Sequence, residues 1–192
     1  MNKTKHIAIV DNYDSFTFNL VHYLESLECT VVVFRNDQFD LADLADFDAL
    51  LLSPGPGLPK AAGLTMQVLA RYAQTKKILG ICLGHQAIGE FFGAKLENLN
   101  NVMHGVATPL VVLESPLRLY QNVPDSSFVG RYHSWAISMQ DFPNCLNITA
   151  VDPQNCILSI EHKQLPLLGI QYHPESLLSP AGKTILTNWL NL

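Results

Sequence analysis

The chain has 192 residues, 48% hydrophobic and 15% charged, a balance that suits one globular domain with a sizeable core and excludes a disordered chain. Its net charge is −5, from 12 basic and 17 acidic residues, and the absence of any basic run argues against a nucleic-acid surface. No apolar run approaches bilayer length, and the opening "MNKTKHIAIVDN" has an apolar core too short for a signal peptide, so a cytoplasmic location with no membrane partner is expected.

"HIAIV" at 6–10 reads as a buried parallel strand. In "SFTFNLVHYLESL", Phe16, Leu20, Leu24 and Leu27 share a helical face, with Ser15 as the expected N-cap. "TVVVF" is the next strand, "DLADLADF" a short helix, and "ALLLS" a third strand that stops at the loop "PGPGLP". "LTMQVLARYAQ" is helical, "KILGI" a strand and "LGHQAIGEFFG" a helix. This alternation predicts a parallel sheet covered on both faces. Beyond residue 94, "ATPLVVLE" (107–114), "LNITAV" and "ILSIEHK" are β-rich with short turns; "LPLLGIQYH" reads as a strand returning to the sheet and "GKTILTNWLNL" as a closing helix. The expectation is a single α/β domain over 1–192, with a mostly parallel central sheet, flanking helices and an antiparallel β insertion in the second half.

Cys82 sits in "GICLG", the pattern G-x-nucleophile-x-G with cysteine at the nucleophile position. A sharp strand-to-helix turn needs small neighbours, here Gly80 and Gly84. It leaves the first helical N–H groups unpaired beside the sulfur, where they and the helix dipole favour negative charge. The Leu83 N–H is placed to hold a developing oxyanion. The competing reading is a buried cysteine beside two packing glycines. His85 makes "CLGH", half of a zinc pattern, but no second ligand pair accompanies it, so no metal is expected. Cys29, Cys145 and Cys156 complete a set with no C-x-x-C spacing, as free thiols in a reducing compartment would be.

A thiolate nucleophile needs a proton carrier held by a third group. His173 in "GIQYHPES" ends an expected strand, at the edge where α/β sites assemble. Glu175 follows two residues on, on the same side if the stretch is extended, with Pro174 restricting the backbone between them. His6, His22 and His162 read as surface or strand-edge residues, and His104 and His133 as loop residues, structural or substrate-side. The order nucleophile, histidine, acid differs from the nucleophile, acid, histidine order of α/β-hydrolases.

These residues resemble the class I, triad-type glutamine amidotransferases, through "GICLGHQ" and "GIQYHPES". Within that family "DNYDSFTFNLVHYL", "SPGPGLP" and "RYHSW" are similar to the small subunits of anthranilate synthase and aminodeoxychorismate synthase, and the resemblance spans essentially the whole chain. It implies a flavodoxin-like fold and a glutaminase that supplies ammonia to a separate chorismate-binding synthase subunit. Cys82 would attack the carboxamide of glutamine, His173 would carry the proton, and Glu175 would orient His173. The resemblance places the oxyanion hole at the Gly57 and Leu83 N–H groups, and substrate contacts at Gly55, Pro56, Gly57, Gln86, Ser134 and Trp135. It implies no cofactor in this chain, with Mg2+ expected on the partner. Asp11, Asn12 and Ser15 read as structural or partner-facing. Two positions depart from the family pattern: Val106, where many members carry lysine, and Trp135, where many carry leucine. Anthranilate synthesis for tryptophan is the first expectation; aminodeoxychorismate synthesis for folate, or one chain shared by both, is the second. A cysteine hydrolase of another substrate class and a non-catalytic binding module are the remaining alternatives.

Overall fold

The computed structural model describes residues 4–113 and 118–192. Glu114, which ends the expected 107–114 β segment, lies outside them, as do the first three residues. The first half alternates as its periodicity requires: β1 (His6–Asp11), α1 (Thr17–Glu25), β2 (Thr30–Arg35), β3 (Ala49–Leu52), α2 (Thr65–Tyr72), β4 (Lys77–Ile81) and α3 (Leu83–Phe91). "DLADLADF" forms a single 3-10 turn, Leu41–Leu44, closed by reciprocal bonds between Asp40 and Asp43. The second half holds β5 (Leu96–Asn98), β6 (Val106–Pro109), β7 (Val111–Val112), β8 (Phe128–Arg131), β9 (Trp135–Ile137), β10 (Leu146–Val151), β11 (Ile157–His162), β12 (Leu167–Ile170) and α4 (Gly182–Asn191).

Among the described residues the main sheet has eight strands in the order β2-β1-β3-β4-β12-β11-β10-β7. The five from β2 to β12 are parallel; β11, β10 and β7 extend the sheet antiparallel. Much of the expected insertion therefore continues the main sheet, and only β5–β9 and β6–β8 form separate two-stranded sheets. Alternating side chains of the parallel strands feed two cores. Ile7, Ile9, Leu51, Leu79 and Ile81 pack with Leu20 and Leu24 of α1 and with Ile185, Leu186 and Trp189 of α4. Ala8, Val10, Leu50, Leu52 and Ile78 face Val68 and Leu69 of α2 and Ala87 and Ile88 of α3. No helix among the described residues is long and apolar enough to cross a membrane.

Two local expectations fail. Ser15 is exposed and caps nothing: Phe16 is the N-cap of α1, without a side-chain cap bond. The carboxylate of Asp11 does the organising instead, accepting the Tyr13 N–H at 3.0 Å and the Thr17 hydroxyl at 2.8 Å. Nor is the stretch from His173 to Glu175 extended. It is a turn, with the Ser176 N–H donating to the His173 carbonyl at 3.2 Å, and β12 has ended at Ile170.

That turn is pressed against the start of α4, where a Cβ on Gly182 would overlap the Pro174 carbonyl oxygen. Backbone on both sides leaves no flexible side chain to yield. Gly182→Ala should cost about 1–3 kcal/mol or more, read as a fall of several degrees in the thermal midpoint. Gly105→Asn keeps a φ of +69° that asparagine tolerates and meets only ordinary contact, so it should change stability little. Equal midpoints for the two variants would contradict the packing argument.

Candidate active site

β4 passes into α3 through Cys82, at φ 51° and ψ −101°, a conformation costly for any residue with a Cβ. The turn is held on both sides. The Cys82 N–H donates to the Ile170 carbonyl of β12 at 2.8 Å, and the Cys82 carbonyl accepts the Gln86 N–H at 3.0 Å. Gly80 and Gly84 are required by proximity: a Cβ on Gly80 would strike the Gly84 carbonyl, and one on Gly84 the Leu52 carbonyl. Leu83 opens α3, so its N–H has no carbonyl within its own helix.

Over the sulfur lies a cavity of about 190 Å³. It is lined by Gly55, Pro56, Gly57, Cys82, Gln86, residues 102–104 and residues 132–135. The glycine-proline loop is anchored by Asn12, which is 2% exposed. The Asn12 N–H donates to Ser53 Oγ and its side-chain amide to the Ser53 carbonyl, both at 2.8 Å. Its Oδ1 accepts from Asn36 Nδ2 and Thr65 Oγ1. A Cβ on Gly55 would lie 2.5 Å from the Asn12 carbonyl oxygen, so only glycine lets the loop seat there.

His173 approaches from the β12 side, off the cavity lining. Its Nδ1–H donates to Glu175 Oε1 at 2.7 Å, with both side chains buried. The ring is wedged edge-on against Tyr132 and Phe16, centroids 5.0 and 5.6 Å away. Its backbone N–H donates to Gly130 at 2.9 Å and its carbonyl accepts Ser179 Oγ at 2.6 Å. Burial disfavours the imidazolium, but the Cys82 sulfur and the Glu175 carboxylate outweigh it and raise the His173 pKa. Nε2 is buried, and the Cys82 sulfur is the group that acts on it from the site side. The arrangement can therefore hold a proton on an imidazole that senses the sulfur, beside a pocket large enough for a small polar molecule.

The match to the class-I glutamine amidotransferase family model runs from residue 8 to 192, which covers the entire site. The chain belongs to this family. It is 43% identical over 189 residues to anthranilate synthase component 2 of Mycobacterium tuberculosis, covering 96% of this chain and 81% of that one. It is 40% identical over 190 residues to aminodeoxychorismate synthase component 2 of Escherichia coli, covering 96% and 99%. A crystal structure from Thermoplasma acidophilum, described as that of a GMP synthase subunit, superposes with a TM-score of 0.88 at 25% identity over all of this chain and 94% of that one. The α/β amidotransferase fold is thus shared beyond the nearer relatives.

In this amidotransferase Gly55, Pro56, Gly57, Cys82, Gln86, Ser134 and Trp135 all line the one cavity, and His173 meets Glu175 beside it. The Ser134 carbonyl is already engaged by the Leu99 N–H at 2.7 Å, and the Trp135 carbonyl by Gln86 Nε2 at 2.7 Å. Sequence reasoning left His104 and His133 open between two roles; both line the cavity, and His133 is also locked in a buried network. His6, His22 and His162 do not line this cavity. Tyr132, Phe16, Gly130 and Ser179 around His173 were not anticipated, and neither was the buried Arg131–Asp152 ion pair. Tyr132 lies inside the quoted "RYHSW", but its partners come from three separate segments. Among the described residues Asp14, His173 and Glu175 alone cluster closely enough to hold a cation, within 4.8 Å; Asp14 Oδ1 already accepts the Phe16 N–H, and His173 is bound to Glu175.

Two further imidazoles set the acid limit. Burial lowers the His85 pKa to about 3, and burial followed by the neighbouring Arg131 charge lowers that of His133 to about 4. Both then bind protons more readily unfolded, near 6.5, than folded. The contribution of these two rings is therefore intact above about pH 6.5 and falls as pH drops from there toward 4, by roughly 1.4 kcal/mol per pH unit per ring. His173 works in the other direction, losing its contribution as pH rises above 6.5. Urea unfolding from pH 7 to 4.5 should show a steadily falling midpoint; a flat midpoint would contradict neutral burial of these rings.

Proposed function

We propose that this chain hydrolyses glutamine through Cys82, His173 and Glu175 and hands the ammonia to a chorismate-using synthase subunit. The observation that carries the reading is the buried His173–Glu175 pair, coupled to a sulfur held on a positive-φ turn beneath a small pocket. Cys82 Sγ attacks the carboxamide carbon while His173 Nε2 takes the thiol proton. The carbonyl oxygen becomes an oxyanion held by the Gly57 and Leu83 N–H groups. His173 returns its proton to nitrogen, the C–N bond breaks, and ammonia leaves a glutamyl thioester. Water, deprotonated by His173, then attacks the thioester, and glutamate departs as the sulfur recovers its proton. Glu175 orients the ring and stabilises its cationic form throughout. Gly55, Pro56, Gln86, Ser134 and Trp135 surround the bound glutamine.

No cofactor is assigned to this chain; Mg2+ belongs with the synthase partner. Anthranilate synthase is the first choice of partner, supported by the 43% identity to a component 2 named for it. Aminodeoxychorismate synthase is the second, supported by a relative matched over 99% of its length. Affinity capture from cell extract, with the bound synthase identified by mass spectrometry, separates them. An anthranilate synthase is expected, and recovery of an aminodeoxychorismate-type synthase alone would overturn the first choice.

Cys82→Ala should lower glutamine-dependent synthesis by the reconstituted complex at least about 1000-fold. Synthesis from added ammonia should continue at the parent rate. Equal loss of both activities would defeat the division of labour. Glutaminase turnover by the lone chain should be weak and rise strongly with the synthase bound.

A further inference from the structure

Gln171 lies two residues before His173 and is fully buried. Its Nε2 is 3.6 Å from Cys82 Sγ, and its Oε1 is 3.1 Å from Gln86 Nε2. An amide could present either end to the sulfur, so its neighbours must decide. At one end of a buried chain, Arg131 pairs with Asp152 and points its Nε–H at His133 Nε2, 3.0 Å away. Arginine only donates, so His133 Nε2 must accept and the ring proton must sit on Nδ1. That proton goes to the Trp135 carbonyl, 2.8 Å away. The carbonyl only accepts, so the Gln86 group facing it at 2.7 Å must be the NH2. The second Gln86 hydrogen is then directed at Gln171, whose facing atom must be oxygen. The NH2 of Gln171 is left for the sulfur. Every link has one allowed direction, and the last presents a donor.

We infer that Gln171 is a further site residue of the reaction: its side-chain N–H holds the Cys82 sulfur in line and stabilises it as the anion. A donor at this position favours the sulfur as acceptor, the form that attacks. Because β11 secures the Gln171 backbone, through its N–H to the Leu158 carbonyl at 2.9 Å, the donor stays in place while His173 exchanges protons. The inference rests on Cys82 being the nucleophile of the reading above.

Iodoacetamide alkylation of the Cys82 peptide, followed by mass spectrometry across a pH series, tests it without glutamine. Gln171→Met keeps the length and removes the donor. Alkylation at pH 7 should slow roughly tenfold, with the rate profile displaced about one unit to higher pH. A profile that superimposes on the parent's overturns the assignment, even if the variant binds glutamine poorly. Should the methionine variant not fold, Gln171→Glu retains the shape and the oxygen that receives the Gln86 hydrogen, and slower alkylation is again expected. In the unsubstituted chain the Gln171 side-chain amide resonance should follow the alkylation profile; a resonance that stays still overturns the assignment too. In the complex with its synthase, Gln171→Met should lower kcat more than it raises KM for glutamine. If the parent complex turns over no glutamine, the proposed function fails while the alkylation series still decides the role of Gln171.

Discussion

The site depends on a close backbone approach at the end of β4. Cys82 can occupy a left-handed turn only because α3 presses against β3 and β4 more closely than any side chain would allow, at Gly80 and Gly84. The penalty for a non-glycine residue at positive φ is about 1–3 kcal/mol. It is offset by the surrounding pairing, above all the bond from the Cys82 N–H to the Ile170 carbonyl. That bond ties the cysteine to β12, the strand whose continuation carries His173. Ile170 pairs with Ile81 in register, so two parallel neighbours deliver sulfur and imidazole to the same carboxyl edge. Some ninety residues of chain between them do not loosen the match, because the register is fixed by strands buried on both faces.

Around this elbow the protein uses buried polar networks where a hydrophobic contact would leave too much freedom. Asn12 satisfies three separate segments at once and seats the loop bearing Gly55 and Gly57. Arg131 and Asp152 do the same for residues 132–135, with His133 as the neutral link to Trp135. Buried polar groups that are fully paired are rigid, since releasing any one leaves its partner desolvated and unsatisfied. The two positions that depart from the family pattern fit this picture. Trp135 contributes its carbonyl to the network, which any residue would supply. Val106 is 39% exposed and enters through its strand pairing with Arg131. Neither substitution disturbs a group that the network requires.

Alternating strand and helix segments predicted the parallel sheet and its flanking helices, and the glycines around Cys82 predicted the elbow, because each signal is local: a short apolar run, a helical period or a glycine pair. The resemblance supplied the candidates around the sulfur; Gly55, Pro56, Gly57, Gln86, Ser134 and Trp135 line a cavity with Cys82, while Leu83, His173 and Glu175 do not line it. The helix start at Ser15 misled, because the chain before α1 is ordered by the Asp11 carboxylate, which accepts the Tyr13 N–H and the Thr17 hydroxyl, and the Thr17 N–H goes to the Asp14 carbonyl. The extended geometry assumed for His173 and Glu175 was wrong as well; a proline-containing turn brings the two together by a different path. Strands β5, β8 and β9 left little pattern, being three or four residues long and paired in small, partly exposed sheets.

What the amino-acid order determined by itself was therefore the kind of fold, the position of the strained cysteine and a first set of candidates to serve it, from which Gln171 and the residues packed on His173 were missing. What only tertiary structure decided was direction: which end of Gln171 faces the sulfur, which nitrogen of His133 holds the proton, and what confines His173. Those choices arise from donors and acceptors on segments far apart in the chain, and a hydrogen bond's polarity is set by its partner, which no local pattern records.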